Sequence, residues 1–333
     1  MIRAVVLGLA LCASARADAP LQRYRDEWMA MAAALDVTVY RADAAAAAAD
    51  LAAAAAEVAA LDRRMSLYRA DSELVALNGS DHGAPVNVSP PMFEVLAAAA
   101  EFARLSSGAF DVSVMPLVEA WGFYRVAWAR VPDAPAVAAA RARVGPHMWA
   151  LDPAAGAVTL RPGARLDLGG IAKGYAVDRA LAVLRARHVP AALVNLGGNI
   201  GVLGLPPGDT PWIIGIGHPR TQKLLGRIRL WRGAVATSGD SDRYFEVDGT
   251  RYAHIVDPRS GLPVRTLAAM TVIAPSATAA DALSTAAFVL GPEQGLALLR
   301  TVPGAGGVAV TAGAVTRTAN RDDADARFEI EVE

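Results

Sequence analysis

The chain has 333 residues, of which 54% are hydrophobic, 20% charged and 6% aromatic, a composition that excludes a disordered or fibrous protein. With 32 basic residues against 33 acidic ones the net charge is −1, which leaves no field to steer nucleic acid. The mean hydropathy of +0.30 owes much to alanine; no run past the N-terminal segment supplies the ~20 apolar positions of a spanning helix, so an integral membrane protein is not expected.

In chain order, the first element is an address. Met1-Ile2-Arg3 is a short positive start, Ala4 to Ala13 an apolar stretch, and Ala15-Arg16-Ala17 a small-x-small cleavage site. A lipobox needs a small residue before its cysteine, and Leu11 precedes Cys12. Cleavage after Ala17 is therefore favoured over lipoprotein anchoring through Cys12. The leader, residues 1–17, takes the only cysteine with it, and the mature domain, residues 18–333, keeps 30 basic and 33 acidic residues. A periplasmic protein indifferent to redox state is expected.

Asp43 to Leu61 reads as an alanine helix capped by Asp43, and Ser89 to Leu105 as a second helix opened by Pro90-Pro91. The stretch 126–153, rich in Ala, Pro and Arg, reads as a peripheral helical insertion. Short β-type runs follow at Val158–Leu160, Ala191–Leu196, Trp212–Ile216, Arg227–Leu230, Tyr252–Val256 and Ala269–Ile273. Helices interrupt them at Ala172–His188, Thr278–Leu290 and Glu293–Thr301. Without strict βαβ alternation this pattern predicts an α+β fold, with mixed, largely antiparallel sheets and packed helices.

Chemistry is concentrated in four places. Asp167-Leu168-Gly169-Gly170-Ile171-Ala172-Lys173 is a carboxylate, two glycines and a helix start, where backbone groups can approach an anion. It lacks both the Walker A and the G-x-G-x-x-G spacing, and a plain strand-to-helix turn explains it equally well. Asn195 to Gly201 repeats the style more weakly. Asp281 and Thr285 lie four apart on one helix face; two hard oxygens suit Mg²⁺, although a surface aspartate and a self-bonded threonine are commoner. His254 sits in an apolar run ending in Asp257-Pro258 and could act as a general base; a structural histidine is the blander alternative. Asp240 and Asp257 are the fallback groups for activating a hydroxyl. The other histidines show no zinc spacing, and no nucleophile elbow is present.

Taken in order, eight segments resemble the FAD:protein FMN transferase family, the ApbE-type proteins. They are Ser66 to Leu74, Gly108 to Asp111, Pro116 to Gly122, Asp167 to Tyr175, Val194 to Asn199, Thr237 to Asp240, His254 to Pro258 and Ala280 to Thr285. The resemblance implies an ApbE-like fold and an exported enzyme. Such an enzyme takes FAD as substrate with Mg²⁺, links FMN to a threonine or serine of an exported redox protein, and releases AMP. It also implies metal contacts from Asp281, Thr285 and the carbonyl of Gly170. FAD contacts would come from Met31, Tyr68, Ala109, Phe110, Asp111, Asp167, Lys173, His254 and Ile255, with His254 the catalytic base. Two departures stand out: Met31-Ala32-Ala33 where the family has Met-Gly-Thr, and Asn199 where it often has aspartate. A FAD pyrophosphatase, with water as acceptor, and a non-catalytic flavin-binding protein are the competing expectations.

Overall fold

A computed structural model describes residues 19–124, 131–221, 223–241, 243–311, 314–319 and 326–332. The expected leader, its expected cleavage site and Cys12 lie outside these residues. The chain then opens with an antiparallel hairpin, β1 (Gln22–Ala30) and β2 (Ala33–Arg41), with Ala30 opposite Ala33. The two turn residues, Met31 and Ala32, sit at φ +49° and +57°, as a type I′ turn demands. An alanine Cβ is crowded there at a cost of ~1–2 kcal/mol. Ala32→Gly is therefore expected to stabilise the protein by ~0.5–1 kcal/mol, seen as a higher urea midpoint at unchanged m-value. A lower midpoint would show the turn to be unstrained.

Helix α1 (Ala44–Met65) follows, and Asp43 caps it as expected, accepting the Ala46 N–H at 2.7 Å. Next come α2 (Glu73–Asn78), β3 (Pro85–Asn87) and α3 (Pro90–Leu105), the last opening on its two prolines. After α4 (Met115–Ala120), α5 (Ala134–Arg141) and β4 (Trp149–Asp152), strand β5 (Ala157–Leu160) completes a small antiparallel sheet in the order β3-β5-β4. Here the expectation of a peripheral helical insertion at 126–153 needs correction. Helix α5 is largely exposed, but Met148 and Trp149 belong to the main core and β4 is a sheet strand. Residues 126–130 lie outside the described residues, and in the rest the run of Ala, Pro and Arg hides the few apolar side chains that anchor it, Val144, Met148 and Trp149 among them.

The rest of the chain is α6 (Ala172–Ala186), β6 (Ala191–Leu196), β7 (Asn199–Leu203), β8 (Trp212–Gly217), β9 (Leu224–Arg232), β10 (Ala234–Gly239), β11 (Tyr244–Val247), β12 (Thr250–Ala253), β13 (Ala269–Ala274), α7 (Ala277–Thr301), β14 (Gly306–Val310), β15 (Val315–Ala319) and β16 (Arg327–Val332). Eight strands form one antiparallel sheet in the order β1-β2-β6-β7-β10-β13-β14-β15, and β16-β9-β8 form a second. The two-residue period of a strand divides the core. In β13, Met270, Val272 and Ala274 face the helices, while Ala269 and Ile273 join Trp212, Ile228 and Phe328 of the second sheet. The large sheet thus lies between α1, α6 and α7 on one side and a small sheet on the other. The fold is α+β with largely antiparallel sheets.

By length and composition α1 and α7 are apolar enough to cross a membrane. In the fold α1 packs on α6 and β2, and α7 packs on α6, β10, β13 and β14. Helix α7 breaks at Gly291, whose φ is +83°, just before Pro292, at the boundary expected between two helices. Where α6 crosses α7, a Cβ on Gly174 would fall 2.2 Å from the Ala277 carbonyl oxygen and 2.7 Å from Asp281 Cβ. Only glycine allows this approach. Further along α6, Asp178 accepts the N–H groups of Ala277 and Thr278, both at 2.8 Å, and the Thr278 hydroxyl at 2.6 Å. These contacts hold the first turns of α7 over the start of α6.

Candidate active site

That crossing forms one wall of a cavity of about 520 Å³. The tip of the β1–β2 hairpin, the segment after α1, the 109–112 and 167–170 turns, the end of β10 and the segment after β12 supply the rest. Of the residues singled out from the sequence, Met31, Tyr68, Ala109, Phe110, Asp111, Asp167, Gly170, Lys173, His254, Ile255, Asp281 and Thr285 line it, and the fallback groups Asp240 and Asp257 do not. The fold gathers them from positions more than 250 residues apart.

One group is a cluster of oxygens. Asp281 is buried, and its Oδ2 accepts the Gly174 N–H at 2.9 Å. Burial raises its pKa; the Lys173 charge and the Gly174 N–H oppose the rise and Asp178 adds to it. One turn later, Thr285 Oγ1 lies 3.3 Å from Ser238 Oγ, which is 2.8 Å from Ser284 Oγ. A Cβ on Gly170 would come within 3.0 Å of Thr285 Oγ1 and 3.2 Å of Phe110 Cε2, so the Gly170 backbone abuts the threonine. Among the described residues no three His, Cys, Asp or Glu side chains are grouped so that they could hold a metal ion. Asp281 and Thr285 supply a carboxylate and a hydroxyl, donors that suit a hard cation such as Mg²⁺, which keeps waters and takes phosphate oxygens, better than Zn²⁺.

A second group runs across the cavity. Asp167 Oδ1 accepts the Gly169 N–H at 2.8 Å, and its Oδ2 accepts the Tyr124 hydroxyl. Burial, then the Asp167 charge, push the Tyr124 pKa up, so the phenol stays protonated as a donor. Its ring meets Tyr68 edge-on, centroids 6.1 Å apart. Tyr68 is exposed and its hydroxyl accepts from Arg243 Nη1 at 2.9 Å. The Arg243 carbonyl in turn accepts the His254 N–H at 3.0 Å and lies 3.1 Å from His254 Nδ1. A carbonyl can only accept, so Nδ1 carries the imidazole proton and the basic lone pair is on Nε2. His254 lies just beyond β12, which ends at Ala253; the expected strand to Val256 shortens to a single bridge, Val256 to Pro263.

Lys173 Nζ donates to the Gly169 carbonyl at 3.2 Å. Asp111 Oδ1 accepts the N–H and hydroxyl of Ser113 at 2.8 and 2.7 Å, and burial raises its pKa against those bonds. Its carboxylate also has the Trp149 indole N–H as a neighbour; Asn199 Oδ1, which lines the cavity, is buried without a hydrogen-bond partner, leaving an acceptor for a ligand's donor. The fallback groups are engaged elsewhere, Asp240 by both guanidinium nitrogens of Arg220 and Asp257 by Arg259 at 2.9 and 3.0 Å. Sequence reasoning missed Tyr124 and Arg243. Tyr124 directly follows the Pro116 to Gly122 segment and Phe123, but its partners Tyr68 and Asp167 are far away in the chain. Arg243 is one of many arginines and carries no local signal.

A family model described as the ApbE family matches residues 31–309. A protein of Klebsiella pneumoniae (strain 342) named FAD:protein FMN transferase is 39% identical over 242 residues, covering 71% of this chain and 74% of its own length. One of the same name from Treponema pallidum (strain Nichols) is 40% identical over 267 residues, covering 72% and 71%. Among solved structures, an ApbE protein from Thermotoga maritima superposes with a TM-score of 0.82 at 34% identity, over 90% of this chain and 97% of that one. The apo flavinyl transferase ApbE of Pseudomonas stutzeri gives a TM-score of 0.80 at 34% identity, over 91% and 96%. By sequence and by fold, the chain belongs to the ApbE family.

Proposed function

We propose that this protein is a FAD:protein FMN transferase that moves FMN from FAD to a threonine or serine hydroxyl of an exported target protein. The observation that carries the reading is one cavity holding an exposed aromatic ring, a hard-oxygen cluster and a histidine with its basic nitrogen on Nε2. In the reaction the acceptor oxygen bonds to the FMN-side phosphorus, the pyrophosphate P–O bond breaks, and AMP leaves with the bridging oxygen. His254 Nε2 takes the hydroxyl proton. Asp281, Thr285 and the Gly170 carbonyl would hold Mg²⁺, which neutralises charge developing on the pyrophosphate. Tyr68 gives a face for the flavin ring, with Met31 and Ile255 beside it. Asp167, fixed by Tyr124, and Asp111 accept hydrogen bonds from FAD, while Lys173 offers a cation near its phosphates.

Incubation with FAD, Mg²⁺ and a threonine-bearing acceptor separates the readings. Flavin on the acceptor supports transfer. Free FMN alone would make the protein a pyrophosphatase, and bound but intact FAD a carrier. We further propose that the protein is periplasmic. N-terminal sequencing of periplasmic material is expected to start at or near Asp18, and a lipid-modified Cys12 would contradict that.

A further inference from the structure

The oxygen cluster around Thr285 contains two serines that the chemistry above leaves without a role. Strand alternation sends Ser238 to the helix side of β10, the face on which Ala234 and Ala236 join the core. There its Oγ meets two hydroxyls of α7, 2.8 Å from Ser284 Oγ and 3.3 Å from Thr285 Oγ1. The preceding residue, Thr237, pairs across the sheet instead, its hydroxyl 2.9 Å from Thr271 Oγ1. Ser238 and Ser284 are both buried.

Each hydroxyl carries one proton, and that count fixes the direction of the whole chain. Ser284 donates to the Asp281 carbonyl at 2.9 Å, because a carbonyl only accepts. With its proton engaged there, Ser284 Oγ can only accept from Ser238. Ser238 then has no proton left for Thr285, so Thr285 donates to Ser238. A helical threonine commonly turns its hydroxyl to the carbonyl four residues back. Here that carbonyl belongs to Asp281, and Ser284 engages it. The Thr285 proton is therefore held toward β10, and the lone pairs of Oγ1 stay free for the cavity that Thr285 lines.

We propose that Ser238 is a positioning residue for the cation: it takes the Thr285 proton, so that Thr285 Oγ1 offers the metal lone pairs and no proton. The inference rests on the reading that Asp281 and Thr285 hold Mg²⁺. Without Ser238 the Thr285 proton loses its acceptor in the buried cluster and competes for the side of the oxygen that a cation needs. Partners of this kind orient a ligand without touching the metal.

The test reads metal binding and not turnover. Mn²⁺, which favours the same oxygen ligands as Mg²⁺, is titrated into the full protein, and the EPR signal of free Mn²⁺ reports how much is bound. Ser238→Ala is expected to weaken Mn²⁺ binding about tenfold, with metal-free FAD titrations unchanged. Ser238→Thr, which keeps a hydroxyl on a side chain suited to a strand, should recover most of the affinity. In a Thr285→Ala background, Ser238→Ala should cost nothing more, because the group it acts through is already gone. Additive losses would overturn the proposal, making Ser238 a ligand in its own right or a support of the fold. Wild-type Mn²⁺ affinity in Ser238→Ala would overturn it as well. Mn²⁺ binding that is absent from wild type, or indifferent to Asp281→Asn, would instead overturn the metal reading, and the role of Ser238 with it.

Discussion

Replacing His254 with alanine is expected to leave FAD binding intact and to slow FMN transfer by ~10²–10⁴-fold, the usual worth of a positioned general base. The expectation follows from the tautomer. The Arg243 carbonyl, 3.1 Å from Nδ1, fixes the proton there and puts the basic lone pair on Nε2, the nitrogen proposed to take the proton of a threonine hydroxyl that is almost wholly protonated at neutral pH. Because Arg243 also donates to the Tyr68 hydroxyl, His254 and Tyr68, the proposed base and aromatic platform, are held by one residue. FAD titration and acceptor flavinylation on the same variant separate the roles. Lost FAD affinity with normal turnover of bound FAD would make His254 a binding residue. Since Asp240 and Asp257 are both engaged by arginines, an unchanged transfer rate would leave the metal as the activator.

Asp281→Ala is expected to lower transfer by ~10³-fold or more, the scale of several kcal/mol of charge stabilisation by a bound metal. Thr285→Ala should cost less, because it removes a neutral oxygen. Alanine at 281 also strands the buried Gly174 N–H, at ~1–3 kcal/mol, so Asp281→Asn, which can still accept that bond, is the cleaner variant. Its stability carries a sign. Burial holds the folded pKa of Asp281 above its ordinary value of 3.8. The folded chain therefore keeps a proton that the unfolded chain releases. This stabilisation is complete below 3.8 and is lost as pH rises through the raised value. Asp178 and Asp111 are raised by burial in the same sense. Metal-free Asp281→Asn should thus lose Tm less steeply with rising pH than wild type. Mg²⁺ should raise the Tm of wild type and not of the variant; an equal response in both would move the metal away from Asp281.

Much of this arrangement is legible where local chemistry speaks for itself. Strand β6 spans the expected Ala191–Leu196, and α6 starts at Ala172 as expected, because alternating apolar residues and an open glycine turn carry their own signal. Asp43 caps α1 through the bond its side chain is built to make. The β1–β2 hairpin is hard to read because its turn is Met31-Ala32, with neither asparagine nor glycine to mark it. Strands β10 and β14 escape notice for another reason: AVATSG and GGVAV have little bulk and take their shape from neighbours in the sheet. In the site, Asp167, His254 and Asp281 stand out by residue type. Tyr124 and Arg243 acquire meaning only through partners 43 and 175 residues away, a distance no local pattern encodes.

Mass spectrometry of the acceptor tests most directly the proposal that the cavity carries FMN onto a hydroxyl of a polypeptide. An acceptor peptide with a single threonine, incubated with the protein, FAD and Mg²⁺, should gain the mass of one FMN moiety on that threonine as AMP appears in equal amount. The same peptide with valine in its place should gain nothing. FMN and AMP released in equal amounts with the threonine peptide unmodified would contradict the account and make water the acceptor.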